Sequence, residues 1–169
     1  MRRAPAAEED FRDFVANRQR QLLRSAWLLT GDWGAAEDLV QTALLHAWRH
    51  WPRVMRSGGA DAYVRTVLLN CYRRSWRRRW HGEVSTGAVP DEVGLEVDVS
   101  SRVGLRRAIG ELPPRQRAVV VLRYFDGLSV EETAAVMSTS EGTVKSQTSK
   151  ALAQMRRSAH LDRSEAHEP

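Results

Sequence analysis

The sequence predicts an all-α fold: two small helical domains joined by a flexible acidic linker, the second containing a helix-turn-helix. Three observations carry this. Apolar residues recur at helical spacing in two blocks, residues 8–82 and 103–161. Between the blocks, residues 83–100 hold Glu83, Asp91, Glu92, Glu96 and Asp98 but no Lys or Arg. From Ser129 to Arg157, a helix-start pattern, a short apolar run, a polar turn and a second apolar stripe follow one another.

In the first domain, Phe11, Phe14, Val15, Leu22, Ala26 and Leu29 mark one helix, broken at Thr30-Gly31-Asp32. Ala36, Leu39, Val40, Ala43, Leu44, Ala47, Trp48 and Trp51 form the cleanest amphipathic pattern in the chain, and Pro52 is expected to end that helix. Ser57-Gly58-Gly59 reads as a loop. A third helix is expected from about Asp61 to Trp80, with Val64, Val67, Leu68, Cys71, Tyr72 and Trp76 on one stripe.

The acidic segment carries Gly87, Pro90 and Gly94, which argue against a continuous helix. It reads as a linker over 83–102, able to span up to about 60 Å if fully extended.

In the second domain, Leu105, Ala108, Ile109 and Leu112 predict a helix that stops at Pro113-Pro114. Ala118, Val119, Leu122 and Phe125 predict the next, closed by Asp126-Gly127. The run Ala118–Leu122 alone would also suit a buried strand, but its helical neighbours and short loops favour helix. Ser129-Val130-Glu131-Glu132 is a capping-box pattern. The helix it opens packs through Val130, Ala134 and Val136, and Met137-Ser138-Thr139 is the turn. Ser138 or Ser140 caps a second helix, near Glu141 to Arg157, whose inward stripe is Val144, Thr148, Ala151, Leu152 and Met155. Thr143, Lys145, Ser146, Ser149 and Lys150 are left facing away or at the flanks. The tail after Leu161 is short and polar, and disorder is expected there.

Composition narrows the function. The 169 residues carry a formal charge of +5, and the basic residues are clustered. Residues 62–82 hold six arginines, at 65, 73, 74, 77, 78 and 79, and no acid. That clustering points to a polyanion. The lone Cys71 excludes an internal disulfide and a multi-cysteine metal site. His46 and His50 share a helix face without the metal-binding pattern that would make them ligands, so no metal and no cofactor is expected. No signal peptide and no membrane span is expected. The helix-turn-helix can enter a major groove, small hydroxyl residues allowing close approach to base edges. Lys145, Lys150, Arg156 and Arg157 can neutralise phosphates. A plain helical hairpin with a solvated face is the alternative at this stage.

The motifs then become specific. Leu112-Pro113-Pro114-Arg115-Gln116-Arg117 through Leu122-Arg123-Tyr124, Gly127 through Ala134, and Glu141-Gly142-Thr143-Val144-Lys145-Ser146 closely resemble the C-terminal DNA-binding domain of bacterial sigma factors. Ala36-Glu37-Asp38-Leu39-Val40-Gln41 resembles the polymerase-binding region of the same family. Ala62-Tyr63-Val64 through Asn70 to Arg77-Arg78-Arg79 resembles the promoter-melting segment. Three matches in order, without room for a middle domain, resemble the extracytoplasmic-function group of the sigma-seventy family, in its SigE-like subgroup.

The resemblance implies a cytoplasmic, non-enzymatic protein that binds core RNA polymerase and directs promoter-specific initiation, with promoter DNA as second partner. The family commonly uses an anti-sigma factor as well. Asp38, Gln41, Thr42, Leu45 and Arg49 would dock the polymerase, although many relatives carry an acid at the position of Thr42. Asn70, Arg73, Arg74, Arg77, Arg78 and Arg79 would serve the minus-ten element, with Trp76 more often core and Trp80 evenly balanced between core and base stacking. Relatives often have an acid near the position of Arg74. Arg115, Arg117, Thr143, Lys145, Ser146, Gln147, Ser149 and Lys150 would serve the minus-thirty-five element. Gln147 stands where many relatives carry arginine, and glutamine can pair with adenine. A free-standing helix-turn-helix regulator is the competing reading. It would dimerise and bind a palindrome without polymerase. A nucleic-acid enzyme would need a carboxylate cluster, metal-ligand set or nucleophile motif that the sequence lacks.

Overall fold

A computed structural model describes the backbone of residues 5–79 and 99–165, and side chains at 6–77 and 103–159. Among these residues the chain is helical throughout, with no strand, and it divides into two units, Met1–Gly87 and Ala88–Pro169. Of the linker expected over residues 83–102, residues 99–102 are helical, while residues 83–98, and Trp80, lie outside the described residues. So do the side chains of Arg78 and Arg79 and the last residues, 166–169.

In the first unit, α1 (Pro5–Thr30) ends as Gly31 takes φ 72°, a conformation that costs glycine little. Asp32 then caps α2 (Trp33–Ser57): its carboxylate accepts the Ala35 N–H at 2.7 Å and is itself buried. The α2 stripe of Ala36, Leu39, Val40, Ala43, Ala47 and Trp51 is buried against α1 and α3 (Ala60–Arg79). Trp51 is fully enclosed, with the Phe11 and Phe14 rings 4.9 and 5.1 Å away. Burying an aromatic of this size is the largest single apolar contribution a residue can make.

Pro52 does not end α2, as the sequence suggested; it lies inside the helix. A proline forfeits one N–H bond to the carbonyl four residues back. Val54 beyond it is buried and holds the last turns to the core. The stop is set instead by Gly58, whose φ of 67° is left-handed and whose N–H donates to the Met55 carbonyl. The stripe of α3 buries Val64, Leu68, Leu69 and Tyr72, leaving Val67, Cys71 and Trp76 only half-buried.

In the second unit, α4 begins at Val99, ahead of the expected start near Val103, and ends at Gly110. Pro113 and Pro114 open α5 (Pro114–Val120), where fixed φ and a missing N–H cost nothing. The apolar run 118–122 is fully buried and helical. Here α5 continues into a wide π turn, Val121–Phe125, closed by Asp126 N–H to the Val121 carbonyl at 2.9 Å. Gly127 at φ 71° redirects the chain. The capping box forms as expected: the Glu132 N–H donates to Ser129 Oγ at 3.0 Å, and the Ser129 N–H to Glu132 Oε2 at 2.7 Å. It opens α6 (Val130–Met137), which ends on Ser138 in the left-handed region at φ 52°. Ser140 Oγ then accepts the Thr143 N–H at 3.1 Å at the start of α7 (Glu141–Glu165). The helical backbone continues to Glu165, past the end near Arg157 that the sequence suggested. Val144 and Ala151, both fully buried, seat α7, which packs on α4, α5 and α6.

Candidate functional site

Burial of one α2 stripe decides what the opposite face offers. Asp38, Gln41, Thr42, Leu45 and Arg49 are all exposed, on the side away from Val40, Ala43 and Ala47. Leu45 is 52% exposed, a large apolar side chain left in water among polar neighbours. On α3, burial of Val64, Leu68 and Tyr72 turns Asn70, Arg73, Arg74 and Arg77 to solvent. An open groove between α2 and α3, lined by Asp38, Thr42, His46, Cys71, Arg74 and Ser75, brings Asp38 and Thr42 of the first set beside Arg74 of the second. Burial pushes the Cys71 thiol above its ordinary range, partly offset by the charge of Arg74. A thiol held protonated in this way is a poor nucleophile.

The basic segment of α3 is smaller than its arginine count suggests. Arg65 is buried, so it belongs to the core side of the helix rather than to a solvent patch.

In the second unit, Lys145, Ser146, Ser149 and Lys150 are exposed on α7, Arg115 is exposed at the start of α5, and Thr143 and Gln147 are half-buried. Thr143 Oγ1 lies 2.9 Å from Ser140 Oγ, so it is engaged in the helix start. Gln147 falls on the flank that also carries Gln154 and Ser158, seven and eleven residues on. Those two side chains bond Glu111 at the end of α4.

Arg117 is not available to DNA, contrary to the expectation from its motif. It is 6% exposed, and its guanidinium donates to the carbonyls of Gly110 and Leu112. Helix ends leave carbonyls without partners, and here Arg117 satisfies two of them at the α4–α5 corner. Sequence inspection had no means of separating it from Arg115, two positions away.

Arg123 was not singled out as a site residue. It is half-buried, donates from Nη1 to the Leu128 carbonyl, and lines a groove with Lys145, Ser149, Leu152 and Arg156. Among the described residues, no group of His, Cys, Asp and Glu could hold a metal ion, and no helix is long and apolar enough to cross a membrane.

A helical unit with a polar, leucine-centred helix face beside an arginine-faced helix, and a second unit built on a helix-turn-helix, define a DNA-binding protein of transcription. Comparison with known proteins gives the family. Residues 14–82 match the family model for Sigma-70 region 2, and residues 102–155 that for Sigma-70, region 4. An RNA polymerase sigma-E factor of Streptomyces avermitilis is 42% identical over 152 residues, 87% of this chain and 83% of that protein. The ECF RNA polymerase sigma factor SigL of Mycobacterium tuberculosis is 38% identical over 136 residues, 74% of this chain and 75% of its own. Among solved structures, the sigma factor RpoE of Bartonella quintana, in complex with the anti-sigma factor NepR, has a TM-score of 0.76 at 25% identity, covering 91% of this chain and 99% of that one. The chain belongs to the sigma-70 family of RNA polymerase sigma factors, in its extracytoplasmic-function group. Its function is that of the family: it binds RNA polymerase and directs transcription initiation at promoters.

Proposed function

We propose that the two units divide this function between named surfaces. Asp38, Gln41, Thr42, Leu45 and Arg49 dock core polymerase. Asn70, Arg73, Arg74 and Arg77, continued by Arg78 and Arg79, engage the minus-ten element. Arg115, Lys145, Ser146, Ser149 and Lys150 engage the minus-thirty-five element, with Thr143 and Gln147 at the edge of that surface. The observation that carries the reading is the exposed face of α2: five side chains, two of them in the Ala36–Gln41 motif, turn to solvent together, with Leu45 at their centre. An exposed leucine flanked by a carboxylate, an amide and a guanidinium suits a protein partner better than water. On α3 and α7, cations and short hydroxyl side chains face outward, which suits phosphate contact and base readout.

The protein works without catalysis, contributing binding surfaces to an enzyme that it does not itself contain, and it acts in the cytoplasm. The anti-sigma complex of the Bartonella relative supports a similar regulatory partner here.

Run-off transcription with bacterial core polymerase, on fragments of the source genome, tests the reading. Defined start sites that require the protein are expected. Absence of start sites and of core binding, together with tight autonomous duplex binding, would favour a free-standing regulator.

A further inference from the structure

Between α5 and α6 the chain turns a corner that one arginine holds from inside. Gly127 is left-handed at φ 71°, and Leu128 leads from it into the capping box of α6. Both main-chain polar groups of Leu128 are tied back to the π turn. Its N–H donates to the Leu122 carbonyl at 3.0 Å, and its carbonyl accepts from Arg123 Nη1. Arg123 lines a groove with Lys145 and Ser149, but its Nε is buried and Nη1 is engaged by the corner. A hydrogen bond from a charged donor is stronger than a neutral one, and π turns recur at functional sites.

The next residues carry the tie onward. The Ser129 carbonyl accepts the Thr133 N–H at 2.9 Å and the Thr133 hydroxyl at 2.7 Å, and Thr133 is fully buried. Helix α6 packs on α7 and on the π turn. Hydrogen bonds and packing thus run from Arg123 through α6 to α7, whose Lys145, Ser146, Ser149 and Lys150 are exposed.

We infer that Arg123 is a positioning residue for promoter recognition: by holding Leu128 against the π turn, it sets how α6 enters and hence the register in which α7 meets base edges. Arg123 itself touches no DNA. The role rests on the reading of α7 as the helix that engages the minus-thirty-five element, and deepens it. Base readout depends on hydrogen-bond geometry in the groove, whereas phosphate attraction is independent of sequence. Loss of the tie therefore lowers discrimination before it lowers affinity. Arg117 provides a matched comparison. It makes a similar tie at the other end of α5, to the carbonyls of Gly110 and Leu112, away from the α5–α6 corner.

Holoenzyme affinity for a promoter fragment mapped by run-off, divided by affinity for the same fragment with its minus-thirty-five region scrambled, measures the preference. Arg123→Met keeps an apolar stem and removes the donor. It should lower the preference about tenfold, the size of one misread base pair. Its salt slope on the scrambled fragment should match wild type, where loss of a phosphate contact would reduce the slope by about 0.9. Arg117→Met should melt at a lower temperature yet keep the wild-type preference. Gly127→Ala strains the same corner from the backbone alone, since nothing lies within 4 Å of the added Cβ while φ is left-handed. It should lose preference as Arg123→Met does, and it decides the matter if Arg123→Met does not fold.

A folded Arg123→Met or Gly127→Ala with wild-type preference would overturn the positioning role. So would a slope lowered by about 0.9 in Arg123→Met, which would make Arg123 a phosphate contact. An equal loss of preference in Arg117→Met would overturn it too, because preference would then follow stability alone. If the wild-type holoenzyme does not distinguish the fragments, the reading of α7 fails and takes this role with it. If it does, and Arg123→Met distinguishes them equally well, only the role of Arg123 falls.

Discussion

Arg115 and Arg117 show how far a residue's role can be read without a fold. Both lie in one motif, both are basic, and the family pattern treats them alike. One is exposed at the start of α5 and the other is buried under the end of α4, spent on two carbonyls. What separates them is a tertiary fact, the placing of the α4 terminus, which no local pattern encodes. The same applies to Arg65, which counted toward a basic patch and is buried. Exposed residues on strong amphipathic helices were legible, as at Asp38 and Leu45, because burial of one stripe fixes the other face. The Arg117 assignment predicts a separation of effects. Arg117→Met should lower stability by roughly 1–3 kcal/mol, through loss of hydrogen bonds to buried carbonyls. The folded variant should keep the wild-type salt dependence of promoter binding. Chemical denaturation and salt titration check this. A shallower salt slope at unchanged stability would return Arg117 to the DNA interface.

Among elements, starts were more legible than ends. Asp32 and Ser129 cap α2 and α6 with side-chain bonds that local sequence specifies. Pro52 was misleading, because a lost hydrogen bond is a local cost, while burial of Val54 two residues later is a tertiary gain. The contact of α4 with α7 was not legible at all. Beside the packing of α4 itself, Glu111 just past its end adds a polar tie to α7: its carboxylate accepts from the Ser158 hydroxyl at 2.7 Å and from Arg107 Nε at 3.2 Å, while its carbonyl accepts from Gln154 at 3.0 Å. The Ser158 hydrogen bond first, then Arg107, hold the Glu111 carboxyl below its ordinary value. A carboxyl depressed in the folded state contributes stability that is fully present above its unfolded value, about 4.3, and is lost as pH falls through the lower folded value. The tie between α4 and α7 should therefore persist at neutral pH and weaken only in acid. Ser158→Ala should raise the Glu111 titration midpoint toward the ordinary range in a carbon-detected NMR titration. An unmoved midpoint would remove Ser158 as the cause.

At the scale of the whole molecule, the chain forms two units, each with its own core: the tryptophan-centred packing of α1–α3, and the valine-rich packing of α5 with α6 and α7, and the proposed surfaces fall one set on each. Loss of one surface should therefore leave the other intact. Asp38→Arg in the full chain should abolish core binding without altering the thermal transition, since Asp38 is exposed. Lys150→Gln should leave core binding near wild type and weaken initiation at promoters that depend on their minus-thirty-five element. Native gel shift with core polymerase and run-off from mapped promoters measure the two. Joint loss of both activities in either variant would contradict the division. The two-unit architecture was legible because two helical blocks flank an acidic stretch.

The π turn at Val121–Phe125 marks a place where this chain can change length by one residue. It accommodates one residue more than a regular helix needs to reach the same point. Deleting a single residue there would let α5 run on as a regular α-helix with the side chains before and after the turn still in phase, whereas the same deletion within the regular turns of α5 would rotate everything beyond it by about 100°. Single-residue deletions between 121 and 125 should therefore be tolerated better than deletions between 115 and 119, a difference that thermal melts of the variants measure.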